Sequence, residues 1–107
     1  MTLPRSAYDR VSVTVSEAAF MDTILQAAEI YGWWAYHTHD SRRSTAGFPD
    51  LVLIKPPRVI FLEVKSETGR LSRAQADVLA MLEAVGYVRS GVVRPSDWEQ
   101  IVEWLSA

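Results

Sequence analysis

Three charged side chains in the middle of the chain have the types and spacing that metal chemistry needs. Asp50 begins one apolar stretch, and Glu63 and Lys65 lie at the end of the next, with twelve residues between the two acids. Side chains alternate across a strand, so Glu63 and Lys65 share the face that also carries Phe61. A carboxylate and an ammonium group thus continue a face that begins as core, where burial without a partner is costly. An ion pair at the rim of a sheet is the alternative explanation.

A predicted hairpin places Asp50 beside these two residues. Residues 50–54 and 59–65 have the composition of buried strands, and the short KPPR connection between them favours an antiparallel pair. The start of the first strand then lies beside the end of the second. Two neighbouring carboxylates repel each other, so a cation is expected between them. Taken alone, Asp50 is more often explained as a turn residue.

Two more polar residues lie on the apolar stripes of predicted helices. At about 100° per residue, Glu17 falls on the stripe that continues through Ile24, so it is expected to point toward the body of the protein. The dipole of the helix also explains an acid in its first turn. Gln75 lies on the stripe of Val78 and has the spacing of a capping-box partner for Ser72. Position alone leaves both roles open for Gln75.

Together these side chains predict a site for a hard divalent cation. They offer carboxylate oxygens and the chain has no cysteine, which suits Mg²⁺ or Mn²⁺. Such an ion activates a water molecule and stabilises charge on a phosphate. Lys65 is expected to orient that water or to neutralise the developing charge. His37 and His39 share one face of a predicted strand, where hydrogen bonding is favoured over a two-histidine metal site.

The elements that must position these residues follow the order α-β-β-β-α-β-α. Strands are predicted over residues 33–39, 50–54, 59–65 and 87–94, with a shorter alternating stretch in VSVTV. The three helices begin at good N-caps, the last two with capping-box spacing, and the first two end at glycines. The caps are Ser16, Ser72 with Gln75, and Ser96 with Glu99, and the glycines are Gly32 and Gly86. This pattern predicts an α/β fold in which helices pack on one small sheet.

Length and composition limit the class of protein. A chain of 107 residues is expected to form a single domain over residues 1–107. With 49% hydrophobic and 22% charged residues it resembles a folded globular protein rather than a disordered one. It has no apolar run of the roughly 18 residues that span a membrane, and its first ten residues have no signal-peptide core. We therefore expect a cytoplasmic protein.

Charge is distributed unevenly along the chain. Residues 41–73 carry seven basic and three acidic groups, a net charge of +4, whereas the remainder has a net charge of −6. Such asymmetry can mark one face for a polyanion, although chance explains it equally well. If the face is functional, the basic loops around residues 42–43 and 70–73 are expected to hold phosphates that flank the metal site.

The order of these residues resembles a known superfamily. Glu17, Pro49-Asp50 and Glu63-Val64-Lys65 resemble the motif of the PD-(D/E)XK nucleases. The chain is most similar to the VRR-NUC branch, through HTHDSRR at 37–43, GFPDL at 47–51 and SETGRLS at 66–72, together with Gln75. The resemblance extends from about Ser16 to the last helix. It implies a restriction-endonuclease-like α-β-β-β-α-β core, with a small mixed sheet flanked by helices.

The resemblance also implies an activity. It predicts a Mg²⁺- or Mn²⁺-dependent endodeoxyribonuclease that hydrolyses phosphodiester bonds in branched DNA, similar to Holliday-junction resolvases. The implied catalytic residues are Glu17, Asp50, Glu63, Lys65 and Gln75. The implied metal-binding residues are Glu17, Asp50, Glu63 and Val64. The implied nucleic-acid-binding residues are Arg42, Arg43, Ser44, Arg70 and Arg73. The alternatives are an inactive nucleic-acid-binding module with the same fold and a purely structural partner-binding domain.

A homodimer is the last expectation from the resemblance. Many members of this branch are domains of larger nucleases or helicases, and here a second subunit is expected to supply what an attached domain supplies there. Aromatic side chains dominate such interfaces, and Trp33, Trp34 and Tyr36 are the candidates. Packing in the core or the dimer is favoured over stacking of Trp33 and Trp34 on nucleic-acid bases.

Overall fold

The helices and strands follow the predicted order. A computed structural model describes residues 15–38 and 45–107, so most of the predicted VSVTV strand lies outside the described residues. The elements are α1 Glu17–Ile30, β1 Trp34–His37, β2 Leu51–Lys55, β3 Arg58–Val64, α2 Arg73–Val85, β4 Arg89–Val93 and α3 Trp98–Ser106. A single 3₁₀ turn, Pro95–Asp97, precedes α3. The described helices include none long and apolar enough to cross a membrane.

The four strands form one mixed sheet in the order β1-β2-β3-β4. Strand β2 runs antiparallel to both β1 and β3, and its pairing with β3 is the one that the short connection between them predicts. Strand β4 is parallel to β3, because α2 carries the chain back along the sheet before β4 begins. Leu51 pairs with Leu62, so the next residues outward on the two strands are Asp50 and Glu63. The predicted α/β fold and hairpin are confirmed.

One face of the sheet carries the core. The predicted alternation in β3 is confirmed, since Ile60, Leu62 and Val64 are all buried. Helix α1 packs on this face and also contacts α3. The apolar side chains of the two helices that close the core are Phe20, Met21, Ile24, Ala27, Ala28, Ile101 and Leu105. The core therefore lies between the sheet and the first and last helices.

Helix α2 covers less of the opposite face than the sequence predicts. It packs against β4, and none of its residues is fully buried. Val78, on the stripe predicted for this helix, is half-buried, as are its neighbours Leu79 and Leu82, and Val85 is exposed. The half of this face formed by β1 and β2 is left more open, and Trp34 and Tyr36 project from it, 61% and 51% exposed. The helix thus serves more to position its first turn than to build the core.

The helix caps agree with the sequence in two of three cases. The Ser16 hydroxyl accepts a hydrogen bond from Ala19 N at 3.1 Å, although α1 ends at Ile30, two residues before Gly32. The capping box of α2 is present, and Gly86 ends that helix with φ 86°. The Ser96–Glu99 capping box is wrong, because the 3₁₀ turn delays the start of α3 to Trp98. The side chain of Ser96 binds a different part of the chain.

Trp33 is a core residue, so its assignment to a dimer surface is wrong. It precedes β1, which is shorter than predicted, and is only 5% exposed. Its indole Nε1 donates a hydrogen bond to the carbonyl of Leu105 at 2.9 Å. The guanidinium carbon of Arg58 lies 4.8 Å from the ring centroid. A long-range hydrogen bond to the last helix thus holds Trp33 in the core, whereas the neighbouring Trp34 is exposed.

Candidate active site

Asp50 is held where β2 begins by both neighbouring strands. Its Oδ2 atom accepts a hydrogen bond from the backbone N–H of Val64 at 3.0 Å, which ties the carboxylate to the end of β3. Its carbonyl oxygen accepts one from the N–H of Thr38 at 2.9 Å, which ties its backbone to the end of β1. Asp50 therefore has a fixed orientation beside Glu63, as the hairpin predicts.

Glu63 is a buried carboxylate with one unsatisfied oxygen. The residue is 1% exposed. Its Oε1 atom accepts a hydrogen bond from Gln75 Nε2 at 2.9 Å, and Lys65 Nζ lies 3.9 Å from the same atom. Within the described residues, Oε2 is buried and has no hydrogen-bond partner. A buried polar atom without a partner is costly, so a ligand that binds this oxygen would remove that cost.

The environment of Glu63 favours its protonated form when no cation is bound. Burial raises the pKa of Glu63 from 4.5 to about 8, and Asp50 adds to the rise as a hydrogen-bond acceptor and a negative charge. The positive charge of Lys65 acts in the opposite direction. At neutral pH the metal-free pair therefore keeps a proton between the two acids, as two like charges in a buried site require.

The two roles left open for Gln75 occur together. Gln75 Oε1 accepts a hydrogen bond from Ser72 N at 2.9 Å, and Gln75 N donates to Ser72 Oγ at 3.1 Å, which completes the capping box. The other end of the amide, Nε2, donates to Glu63. Because an amide carries an acceptor and a donor on opposite sides, one side chain caps α2 and orients a carboxylate.

Lys65 lies beside the acid pair without a direct hydrogen bond to it. Its side chain is 13% exposed, and its ammonium is 3.9 Å from Glu63 Oε1, beyond hydrogen-bonding distance. Its backbone N–H donates to the carbonyl of Val93 at 3.0 Å, so the main chain at Lys65 is fixed against β4. The ammonium is close enough to stabilise negative charge at the site and retains protons to donate.

The segment before Asp50 is packed against the start of α2. Gly47 has φ 98°, and a Cβ atom there would overlap the carbonyl of Ala74. Only glycine fits this close approach without strain. The ring of Phe48 meets Phe61 edge to face, with centroids 6.2 Å apart. This contact is not predicted from the sequence, although Phe61 and Glu63 lie on one face of β3. It fixes Asp50 relative to Gln75.

The donor set fits a hard divalent cation. Mg²⁺ in proteins is commonly held by one or two carboxylates, with water and phosphate completing the shell. Asp50 and Glu63 supply two carboxylates, and the unpartnered Oε2 of Glu63 is available to a cation. The side chain of Val64 is fully buried and its N–H is used by Asp50, so only its carbonyl could contribute. In the described parts of the chain, three or more acidic or histidine side chains do not meet at one metal site.

Glu17 makes no hydrogen bond or ion pair with the other predicted site residues among the described contacts. It occupies the first turn of α1, as predicted, but it is exposed rather than inward-facing. The recorded hydrogen bonds and ion pairs of Asp50 and Glu63 join them to Val64, Gln75 and Lys65, and not to Glu17. The structure thus brings together Asp50, Glu63, Lys65 and Gln75.

Two of the five predicted nucleic-acid-binding residues lie in the described part of the chain. Arg42, Arg43 and Ser44 lie outside the described residues, as does His39. Arg70 is exposed in the loop that follows Lys65. Arg73 is exposed in the first turn of α2, where its Nε donates to Asp77 Oδ1 at 3.2 Å. Both arginines therefore lie on the connection between Lys65 and Gln75 and are accessible to a polyanion.

A pH titration of stability tests the environment of Glu63. Between about pH 4.5 and 8 the unfolded chain has lost the Glu63 proton and the folded chain keeps it. The free energy of unfolding of the metal-free protein should therefore fall across this window, on the order of a few kcal/mol, and level off above it. Glu63→Gln should remove that fall and be more stable than the parent at pH 8.5 in EDTA.

Urea denaturation at pH 5 and 8.5 measures the effect. Glu99→Gln, at an exposed glutamate of α3, is the control and should keep the dependence of the parent. Equal pH dependence in the parent and Glu63→Gln would show that Glu63 ionises freely in the folded state.

Substitutions at Gln75 separate its two hydrogen bonds. Gln75→Glu keeps an acceptor for Ser72 N but replaces the donor to Glu63 with a third negative charge. It should retain most of the helix cap and yet lower stability at pH 8.5 in EDTA, more than at pH 5. Gln75→Ala loses both contacts and should cost about 1–3 kcal/mol at both pH values. Denaturation curves that show no extra loss for Gln75→Glu at pH 8.5 would contradict the contact with Glu63.

Comparison with known protein families identifies the family of the chain. The family model of the VRR-NUC domain matches residues 3–95. This range includes Asp50, Glu63, Lys65 and Gln75. A search of curated proteins finds no match. The family match covers most of the chain, and the α-β-β-β-α-β order of the described elements is that expected of a nuclease core. The chain therefore belongs to the VRR-NUC family, a branch of the PD-(D/E)XK nuclease superfamily.

Proposed function

We propose that the protein is a Mg²⁺- or Mn²⁺-dependent endonuclease that hydrolyses phosphodiester bonds in branched DNA, in the manner of a Holliday-junction resolvase. One observation carries the proposal. The buried Glu63 lies beside Asp50 with an unpartnered oxygen, and Lys65 and Gln75 complete its surroundings. A site that serves only to stabilise the fold would gain by satisfying that oxygen or replacing it with an apolar group.

Asp50 and Glu63 are the residues that would hold the metal. Glu17, and the carbonyl of Val64, are proposed as further ligands on the strength of the family motif. A bound Mg²⁺ or Mn²⁺ supplies a Lewis acid for the phosphate and a lower pKa for an attacking water. The protein fixes the two carboxylates through the Val64 N–H and the Gln75 amide, so neither needs to reorient when the substrate binds.

Lys65 is proposed to act on the reacting groups. Hydrolysis forms a bond from the water oxygen to phosphorus and breaks the bond from phosphorus to a sugar oxygen, which leaves as a hydroxyl. Negative charge increases on the phosphate oxygens as this occurs. The Lys65 ammonium lies at the edge of the acid pair with hydrogen-bond donors available, so it can orient the water and stabilise that charge.

Basic residues around the site would bind the flanking phosphates. Arg70 and Arg73 are exposed on the connection between Lys65 and Gln75. Arg42, Arg43 and Ser44 are proposed for the same role from the family resemblance. These residues belong to the stretch with a net charge of +4 in an acidic chain. Contacts of this type position the phosphodiester backbone without reading its sequence, which suits recognition of DNA shape.

A homodimer is proposed as the form that selects branched DNA. Trp34 and Tyr36 project from the sheet face that α2 leaves open, with ring centroids 6.5 Å apart. The half-buried Val52 and Ile54 pair with them on β2 and extend the same apolar face. A two-fold contact between two copies of this face would cover it and present two sites related by symmetry. Such a pair suits the near-symmetry of a four-way junction.

A nuclease assay tests the activity directly. The parent should cut four-way or other branched DNA with Mg²⁺ or Mn²⁺ and not with EDTA. Asp50→Ala and Glu63→Ala should abolish cleavage and weaken metal binding, because each removes a ligand. Lys65→Ala should bind metal as the parent does and lose at least about 100-fold in kcat, because its role is in the transition state. Isothermal titration with Mn²⁺ provides the metal affinity.

Lys55→Ala is the matched control, since Lys55 is the only other lysine of the chain. Its ammonium donates to the carbonyl of Tyr31 at 2.8 Å, so its loss should lower stability without lowering kcat. If Lys65→Ala cuts as fast as the parent, the assigned role is wrong. A parent that binds branched DNA and cuts no substrate with either metal would instead be an inactive binding module.

Sedimentation tests the dimer. At micromolar concentration the parent should sediment at twice its 12.0 kDa monomer mass. A stable contact of this kind should bury at least ~1,000 Å² in total. Trp34→Glu and Tyr36→Glu should each yield monomers, because a charge would be buried at the contact. Ile30→Glu changes an even more exposed apolar residue at the end of α1 and should leave the dimer intact. A monomeric parent that still cuts four-way junctions would contradict the proposal.

A further inference from the structure

We infer that Arg94 is a positioning residue for Lys65, which it controls through the loop at residues 66–69. The inference rests on the proposed function, because it assigns the catalytic consequence to Lys65. Neither the residue motif nor the acid pair includes Arg94, which directly follows β4. Its contacts show how a side chain outside the site can determine the shape of the site.

The guanidinium of Arg94 donates hydrogen bonds to several carbonyl groups of this loop. Arg94 Nη1 donates to the carbonyls of Ser66 and Gly69, each at 2.7 Å, and lies 3.3 Å from that of Glu67. Hydrogen bonds from a charged donor are short and strong, and these are partly buried. The contacts turn the loop carbonyls toward Arg94, so the loop closes around the guanidinium.

A second contact ties the same loop to the turn after β4. The carboxylate of Glu67 accepts hydrogen bonds from Ser96 N at 3.1 Å and Ser96 Oγ at 2.6 Å. The backbone of Arg94 is itself fixed, because its N–H donates to Asp97 Oδ2 at 2.8 Å. Two sets of contacts therefore join the loop to the turn. Arg94 donates to carbonyls of the loop, and Glu67 of the loop accepts from Ser96 of the turn.

The closed loop runs close beside the stem of Lys65. Gly69 N donates to Ser66 Oγ at 3.0 Å, which draws the loop back toward its own start. A Cβ atom on Gly69 would lie 3.5 Å from Lys65 Cδ and 3.1 Å from Ser66 Oγ. On its other side the backbone of Lys65 is bonded to Val93. The loop therefore restricts the side-chain rotamers of Lys65.

This restriction matters because lysine is a flexible side chain. Its four-carbon stem allows many rotamers, and only some of them leave the ammonium near Glu63. A misplacement of about 1 Å caused by a distant residue can cost about 100-fold in rate. Without Arg94 the loop carbonyls lose their shared donor, the loop opens, and Lys65 occupies the productive position less often. Asp50 and Glu63 make no contact with Arg94 among those recorded, so metal binding should not change.

Kinetics of Arg94 variants test the inference. Arg94→Ala should lower kcat on branched DNA by about 10- to 100-fold, with the Mn²⁺ affinity and KM changed less than about threefold. Arg94→Lys should recover part of the loss, because all the recorded contacts come from one nitrogen that an ammonium can replace. Arg89→Ala is the control. Arg89 lies at the other end of β4, over the ring of Trp104, and its loss should leave kcat unchanged.

A double-mutant cycle decides whether Arg94 acts through Lys65. If it does, Arg94→Ala should have almost no further effect on kcat in a Lys65→Ala background. An equal loss in both backgrounds would overturn the inference, as would a normal kcat for Arg94→Ala.

A readout without catalysis separates failure of the inference from failure of the proposed function. The chain has two lysines, Lys55 and Lys65, so NMR of lysine-labelled protein resolves each side chain. Arg94→Ala, or Arg94→Lys if the alanine variant fails to fold, should increase the mobility of the Lys65 side chain and leave Lys55 unchanged. Unchanged order parameters at Lys65 would overturn the inference, whether or not the parent cuts DNA. Increased mobility in a protein that cuts nothing would support the positioning and overturn the proposed activity.

Discussion

The site depends on two carboxylates held side by side, one of them out of water. Burial makes the ionised form of Glu63 costly, and the neighbouring Asp50 raises that cost. The surrounding groups offset part of it: the Val64 N–H fixes Asp50, and Gln75 and Lys65 approach one oxygen of Glu63. The other oxygen is left without a partner. Either a proton or a cation must complete this arrangement, which links the fold to the chemistry.

The mixed sheet explains why the supporting groups converge at one place. The antiparallel hairpin brings the start of β2 to the end of β3, which joins the two acids. The parallel pairing of β3 and β4 requires a crossover, and its helix α2 begins at Arg73, after the loop that follows β3. The end of β4 arrives at the same edge, with Arg94 just beyond it. Thus one end of the sheet receives the ends of β1, β3 and β4, the start of β2 and the first turn of a helix.

Local features of the sequence predicted most of this arrangement, and long-range contacts account for what it missed. Strand alternation placed Glu63 and Lys65 on one face, and helix capping located Ser72 and Gln75. By contrast, the burial of Trp33 depends on a carbonyl of the last helix, far along the chain. Ser96 has the spacing of a helix cap with Glu99, yet its hydroxyl donates a hydrogen bond to Glu67 instead. From the sequence, Gln75 could be either a helix cap or an inward-facing site residue. The orientation of its amide, which the sequence does not provide, allows both roles at once.

The double use of Gln75 affects how related sequences should be interpreted. A glutamine that caps a helix and also orients a carboxylate is retained for two independent reasons. A chain that has lost its catalytic activity still benefits from the cap and can keep this residue. The side chain of Lys65 caps no helix and has one ion-pair contact, 3.9 Å from Glu63, and its backbone bond to Val93 would survive a change of side chain. If Lys65 has the catalytic role proposed above, this lysine is a better marker of a working enzyme than the glutamine.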